Sequence, residues 1–292
     1  MINEKYRNIA DGSKFTTLLG AACGDITGSV YERHNIKRKI SMDEMVTEWG
    51  RFTDDTVMTC AVAEGICRGL TLLPEDWIGV PKAEQTISRA VVCAMREYGA
   101  KYPDAGYGGN FLNWLYCRDP KPYGSWGNGS AMRVSFAGWA ARTLEEAEKL
   151  AEISAAVTHN HEDGINGAKV VAGIIFMLRN GADKNDVFRY ASGFYNVGFT
   201  LDEIRETYGF DVSCKGSVPQ AIRAFLEGED FADVISNAIS IGGDSDTIAA
   251  ISGSMAEVIY PMPIALYKKT AEKLDPFLLN TVLRAARFLA ER

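Results

Sequence analysis

Thr53-Asp54-Asp55-Thr56-Val57-Met58-Thr59-Cys60-Ala61-Val62-Ala63-Glu64-Gly65-Ile66-Cys67-Arg68-Gly69-Leu70 is the stretch that decides the fold class. Its residues Met58, Val62 and Ile66 recur at a spacing of four, the period of one helix face. The chain repeats this pattern almost throughout. Phe15 to Tyr31 is an apolar helical run behind Ser13, and Ala83 to Tyr102 is another long one. Thr143 and Glu146 have capping-box spacing ahead of a run toward Val157, and Thr200 and Glu203 repeat that spacing. Gly164 to Leu178 ends before Gly181, a natural helix-terminating position. Val218 to Leu226 and Phe231 to Ile239 predict two short helices. Ile248, Ile251, Met255, Val258 and Ile259 fit one face of a further helix, and Pro276 to Arg292 is amphipathic. Alternating strand patterns are nearly absent, and no Pro- or Ser-rich linker divides the chain. The expectation is an all-α fold, a single compact multi-helix domain over residues 1–292. The glycine-rich loops 106–110 and 124–130 interrupt the helices, and loops on a rigid scaffold are where a site is expected.

Bulk composition excludes several function classes. The 292 residues are enough to bury a large core, and 47% hydrophobic with 24% charged content is ordinary for a globular protein. A net charge of −7, from 31 basic and 38 acidic residues, argues against a nucleic-acid backbone as the main partner. The one basic run, Arg33 to Lys39, is short and reads as a solvated loop. The polar start, Met1 to Arg7, lacks the apolar core of a signal peptide, and no apolar stretch is long enough to span a membrane. The six cysteines are scattered, mostly in helical runs, without a CxxC pair. Reduced, buried thiols in a cytoplasmic protein are expected, rather than a zinc or disulfide site.

Two acidic clusters carry the chemistry. Thr53-Asp54-Asp55-Thr56 opens one helix, and Gly242-Gly243-Asp244-Ser245-Asp246-Thr247 opens another. Helix capping explains one such residue at a helix start, not four in a row. Crowded carboxylates repel unless a cation sits among them, and oxygen-only ligands suit Mg²⁺, Mn²⁺ or Ca²⁺ rather than zinc. The spacing does not fit an EF-hand. Together the clusters predict a binuclear metal site.

Three further segments are weaker signals alone. Gly24-Asp25-Ile26-Thr27-Gly28-Ser29-Val30-Tyr31-Glu32 places two acids about two helical turns apart, so both could face one side. Taken alone it reads as a tight helix contact, with Glu32 solvated at the helix end. Gly124-Ser125-Trp126-Gly127-Asn128-Gly129-Ser130-Ala131-Met132-Arg133 runs from a loop into a helix and suits a phosphate cradle, although it is no Walker loop. Thr158-His159-Asn160-His161 holds two of the three histidines. Without a third ligand nearby, His159 reads as a hydrogen-bonding ligand residue rather than a metal ligand.

These five segments, in this order, resemble the ADP-ribosylglycohydrolase family. The resemblance runs from residue 18 to about 260. It implies an all-α fold around a central binuclear site for two Mg²⁺ or Mn²⁺. The metal ligands would be Thr53, Asp54, Asp55, Asp244, Asp246 and Thr247. Glu32 matches the family's acidic residue beside the metals, and Glu32, Asp54 and Asp55 are the expected catalytic carboxylates. Ser125, Trp126, Gly127, Asn128 and Gly129 match the segment that holds the diphosphate, and His159 matches a histidine lining the ADP-ribose pocket. Residue type alone suggests Tyr107 or Trp126 as the ring that stacks on adenine. The implied activity is hydrolysis of the bond between ADP-ribose and an acceptor, either a protein side chain or a small molecule. The alternative is a non-catalytic ADP-ribose-binding or structural protein on the same scaffold, against which the intact ligand set speaks. Glu162 and Phe136 stand where many family members carry Pro, and both are expected in the pocket wall.

Overall fold

The computed structural model describes residues 17–292 and folds them into fifteen α-helices. The first seven are α1 Leu19–Gly28, α2 Asp54–Thr71, α3 Ala83–Lys101, α4 Gly109–Tyr116, α5 Gly129–Met132, α6 Ser135–Ala140 and α7 Leu144–Ala156. The next four are α8 Glu162–Arg179, α9 Lys184–Ala191, α10 Leu201–Ile204 and α11 Cys214–Glu227. The last four are α12 Phe231–Ser240, α13 Ser245–Ile259, α14 Ile264–Lys273 and α15 Pro276–Glu291. The all-α expectation therefore stands. The only β-type pairing among the described residues is a single bridge between Gly127 and Ser213. No helix among them is long and apolar enough to cross a membrane.

Helix α13 is the axis of the molecule. It packs against α1, α8, α11 and α12, and every residue from Ser245 to Glu257 is buried. A helix surrounded on all sides must be apolar or small on all sides. Here Ile248, Ile251 and Met255 fill the core, while Ala249, Ala250 and Gly253 let neighbouring backbones come close. The hydroxyls this leaves inside are satisfied locally: Ser252 Oγ donates to Ile248 O at 2.7 Å and to Ala221 O at 3.0 Å. The tightest contact is with α1, whose glycines face α13 one turn apart. A Cβ on Gly24 would stand 2.0 Å from Ala249 O. Close packing of backbones, together with the Gly20 N–H donating to Glu257 Oε2 at 2.8 Å, therefore fixes the two helices against each other.

Several expected boundaries shift for identifiable reasons. The run beginning at Phe15 has its start, Ser13 to Thr16, outside the described residues, as does the polar segment Met1 to Arg7. Its far end falls at Gly28 rather than Tyr31, because Ser29 Oγ caps Ile26 O at 2.9 Å and the chain turns. Asp25 and Glu32 thus do not share a helix face. Thr143 caps α7 through the Glu146 N–H at 3.0 Å, but the box does not close. The Glu146 carboxylate is drawn away, accepting from Trp77 Nε1 and from the Arg142 N–H, each at 2.7 Å. The Thr200–Glu203 box does close, on a helix of only four residues. Gly181 terminates α8 with φ +88. Two of the six thiols, Cys93 and Cys117, are exposed rather than buried, and all six are free.

The basic run is not a free loop. Lys37 Nζ donates to Tyr208 O at 2.5 Å and to Ile241 O at 2.6 Å, and Lys39 Nζ reaches Asp233 at 2.8 Å. It straps the segment after α1 onto the turn that leads into α13.

Candidate active site

The two acidic helix starts face each other across the molecule's centre. Thr247 Oγ1 donates to Asp55 Oδ2 at 3.2 Å, a contact between residues 192 apart in sequence. On one side, Thr53 caps α2 by accepting from the Asp55 N–H at 3.2 Å. On the other, Gly242 and Gly243 turn with φ +67 and +74 to aim Asp244 and Asp246 inward. Only glycine fits there: a Cβ on Gly242 would stand 2.2 Å from Asn35 Oδ1, which accepts the Gly243 N–H at 3.1 Å.

Two trios of carboxylates result. Oxygens of Asp25, Asp55 and Asp246 lie within 4.8 Å of one another, and so do oxygens of Glu32, Asp244 and Asp246. Asp246 belongs to both. Burial first, then the Asp246 charge, pushes the Asp25 carboxyl up to about 7, against hydrogen bonds from Thr53 and Thr56 that favour the anion. Asp54 is likewise pushed up to about 7, by burial and then by Asp25 and Asp246. Asp55 and Asp244 are raised well above the carboxylate range, again by burial first and then by neighbouring carboxylates. Burial and then Asp246 also raise Glu32, against Arg33 and Arg51. Asp55 Oδ1 is buried without a hydrogen-bond partner. A donor set of oxygens only, in mutual repulsion and with one oxygen unsatisfied, fits hard divalent cations.

All of these carboxylates but Asp25 floor a cavity of about 610 Å³. Glu32, Thr53, Asp54, Asp55, Asp244, Asp246 and Thr247 all line it, as do the whole Ser125–Gly129 segment and His159. Residues from both glycine-rich loops contribute to the wall. The segment 124–130 is held by the bridge to Ser213, with the Asn128 N–H donating to Val212 O at 2.7 Å. Phe210 and Val212 stand at the lip with Trp126, all three exposed.

Some expectations are corrected. The phosphate cradle is not a helix N-terminus of any length, since α5 is four residues long and the N–H groups of Gly127 and Asn128 are already engaged. The Asn128 side chain turns to the acids instead, donating from Nδ2 to Asp244 Oδ2 at 2.6 Å. Of the two rings suggested by residue type, Tyr107 is buried against Phe111 and does not line the cavity, whereas Trp126 does. Phe136 is a core residue packed on Phe288, and Glu162 is exposed in the first turn of α8; neither is in the wall. His161 is exposed and caps α8 through the Asp163 N–H.

Two residues in the site lie in segments named from sequence but were given no role there. Asp25 lies fully buried behind the floor and accepts from Thr53 N at 2.9 Å, Thr53 Oγ1 at 2.7 Å, Thr56 N at 3.1 Å and Thr56 Oγ1 at 2.5 Å. It caps α2 from outside. Arg133 is buried in the cavity wall, its guanidinium 5.6 Å from the Phe111 ring centre. The signals were an acid in a run of small residues and an arginine in an apolar one.

The chain is similar to known proteins over most of its length. The ADP-ribosylglycohydrolase family model matches residues 13–272. ADP-ribosylhydrolase ARH3 of Mus musculus is 28% identical, covering 84% of this chain and 83% of its own. An uncharacterized protein of Archaeoglobus fulgidus is 27% identical over 87% of both chains. The ADP-ribosylarginine hydrolase Tri1 of Pseudomonas putida is 23% identical, over 83% of this chain and 69% of that one. In fold, the chain resembles the solved structure of an ADP-ribosylglycohydrolase-related protein complex, with a TM-score of 0.62 at 20% identity over 94% of this chain and 97% of that one. With the family model matching all but the two ends, the chain belongs to the ADP-ribosylglycohydrolase family.

Proposed function

We propose that this protein hydrolyses the glycosidic bond between ADP-ribose and an acceptor, releasing ADP-ribose, and that it needs divalent metal to do so. The observation that carries this reading is the convergence of two carboxylate trios, sharing Asp246, at the floor of a cavity of about 610 Å³ that all their members but Asp25 line. Family membership and the ADP-ribosylhydrolases among its relatives support the substrate class. Six free thiols suit a cytoplasmic location.

Thr53, Asp54, Asp55, Asp244, Asp246 and Thr247 would hold two Mg²⁺ or Mn²⁺, which supply Lewis acidity toward water and anchor hydroxyl oxygens. The chain's own groups do the rest. Asp25 and Asn128 orient the ligand residues: Asp25 fixes Thr53, and Asn128 fixes Asp244. Glu32, half-buried beside Asp244 and Asp246, takes the proton from the attacking water as general base. Cleavage builds positive charge at the anomeric carbon, and the Asp54 and Asp55 carboxylates stabilise it. Ser125 to Gly129 and His159 bind the diphosphate, and Trp126 stacks on the base, so remote contacts position the reacting carbon.

The test is a panel of defined ADP-ribosylated acceptors, with Mg²⁺, Mn²⁺ or chelator, read by release of ADP-ribose. Metal-dependent release that Glu32→Gln abolishes while ADP-ribose binding persists is the expected result. Tight ADP-ribose binding with no release from any acceptor would establish the binding-protein alternative instead.

A further inference from the structure

Arg133 is an unusual group for its position. It is fully buried, and no carboxylate forms an ion pair with it among the described residues. Its guanidinium donates from Nη2 to Thr158 Oγ1 at 2.7 Å. Thr158 Oγ1 in turn lies 2.7 Å from His159 Nδ1.

The direction of this chain follows from donor counting. A guanidinium has donors only, so Arg133 occupies a lone pair of the Thr158 hydroxyl and leaves the hydroxyl proton to be placed. Thr158 is fully buried, and His159 Nδ1 is the acceptor within its reach among the described residues. A buried hydroxyl proton left without an acceptor is unfavourable. The proton therefore goes to His159 Nδ1, and a neutral imidazole that accepts at Nδ1 carries its own proton on Nε2. Nε2 lies 3.3 Å from where a Cβ on Gly129 would stand and 3.6 Å from the corresponding point on Gly127. It thus faces the glycine turn of the cavity wall. Burial first, and then the Arg133 charge, holds the imidazole well below its ordinary pKa.

We propose that Arg133 and Thr158 are positioning residues that lock His159 in its Nε2–H tautomer, giving the cavity a fixed donor for an anionic ligand beside the Gly127–Gly129 turn. The ligand's identity, the diphosphate of ADP-ribose, rests on the function proposed above; the tautomer rests on the hydrogen-bond chain alone. The lock matters because a free neutral histidine exchanges tautomers, and the wrong one would aim a lone pair at an anion. The glycines let the ligand reach the ring edge, since any side chain on Gly129 would cover it.

Long-range proton–nitrogen spectra of protein labelled at its three histidines, with His159 assigned through a His159→Gln variant, read the tautomer directly. In ligand-free wild type, His159 should show a bare Nδ1 and a protonated Nε2. Thr158→Ser should keep both this signature and ADP-ribose affinity. Thr158→Val, nearly isosteric, should let an Nδ1–H form appear and weaken ADP-ribose binding about tenfold. A protonated Nδ1 in the wild type overturns the proposal without any variant, and so does a Thr158→Val protein with unchanged tautomer and affinity. Wild type that shows the Nε2–H form yet binds no ADP-ribose would support the lock and remove the functional reading.

Discussion

Gly28 and Asp246 meet backbone to backbone: a Cβ on Gly28 would stand 2.3 Å from the Asp246 Cα. Helix α1 therefore sets where the acid shared by both carboxylate trios can stand. Gly28→Ala must push the first turn of α13 outward. Overpacking of this kind costs about 1–3 kcal/mol. Calorimetric titration with Mn²⁺ should show affinity reduced at least about tenfold, with a lower melting temperature. Unchanged metal affinity would mean that Asp246 is not placed by this contact.

Asp25 accepts four hydrogen bonds from Thr53 and Thr56 and does not line the cavity. Asp25→Ala strands these buried donors, at about 1–3 kcal/mol for each one left unsatisfied. The expected outcome is a protein unfolding at markedly lower denaturant, with turnover reduced at least about a hundredfold through the displaced start of α2. Turnover near the wild-type level in the folded fraction would show that Asp25 only stabilises.

In metal-free protein, Asp25 and Asp54 have folded-state pKa values of about 7, against about 3.9 in an unfolded chain. The folded state thus binds protons that the unfolded state has released. The stability this contributes is complete below about pH 4 and is lost as pH rises through 7. With chelator present, the melting temperature should be at least about 5 °C lower at pH 8 than at pH 5. Saturating Mn²⁺ should stabilise more at pH 8 than at pH 5, because the ligands must be deprotonated to bind. A flat chelator profile over this range would contradict the raised carboxyls that burial and then mutual repulsion produce.

Glu146 is a buried hub outside the cavity, accepting from Trp77 Nε1, the Arg142 N–H and the Arg292 guanidinium. Removing it leaves an indole N–H and a largely buried arginine without their partner. Glu146→Ala should cost about 3 kcal/mol of stability in urea unfolding and leave kcat unchanged well below the melting temperature. A large change in kcat at constant fold would reveal a link to the site that the contacts do not show.

Trp126 is 51% exposed at the cavity lip. With Trp126 in the base-stacking role proposed above, its replacement by Ala should raise KM about tenfold, with kcat nearly constant and little change in melting temperature. A fall in kcat alone would place the ring in the chemistry rather than in binding.

The helices that carry the site were legible because local signals agreed. Met58, Val62 and Ile66 share the core face of α2, and Thr53 caps it. Both acidic clusters could be read as one site because each opens a helix on an oxygen-rich turn. What sequence did not show depends on partners far along the chain. Asp25 looks like an unremarkable acid among small residues until Thr53 and Thr56 fold onto it. Asn128 looks like a turn residue until Asp244, 116 positions away, takes its amide. The pocket-wall expectation failed at Phe136 because an apolar residue in a short helix falls to whichever side the neighbours leave open, here that of Phe288.

Lys37, read from sequence as part of a solvated loop, has a consequence for how the cavity can open. Its ammonium joins Ile241 O, at the root of the turn that carries Asp244, to Tyr208 O, two residues before Phe210 at the lip. Parting either carbonyl from it would leave a partly buried charge short of an acceptor, so floor and lip are geared together. One side chain far from both in sequence thus pins the chain leading to Phe210 against the turn leading to Asp244.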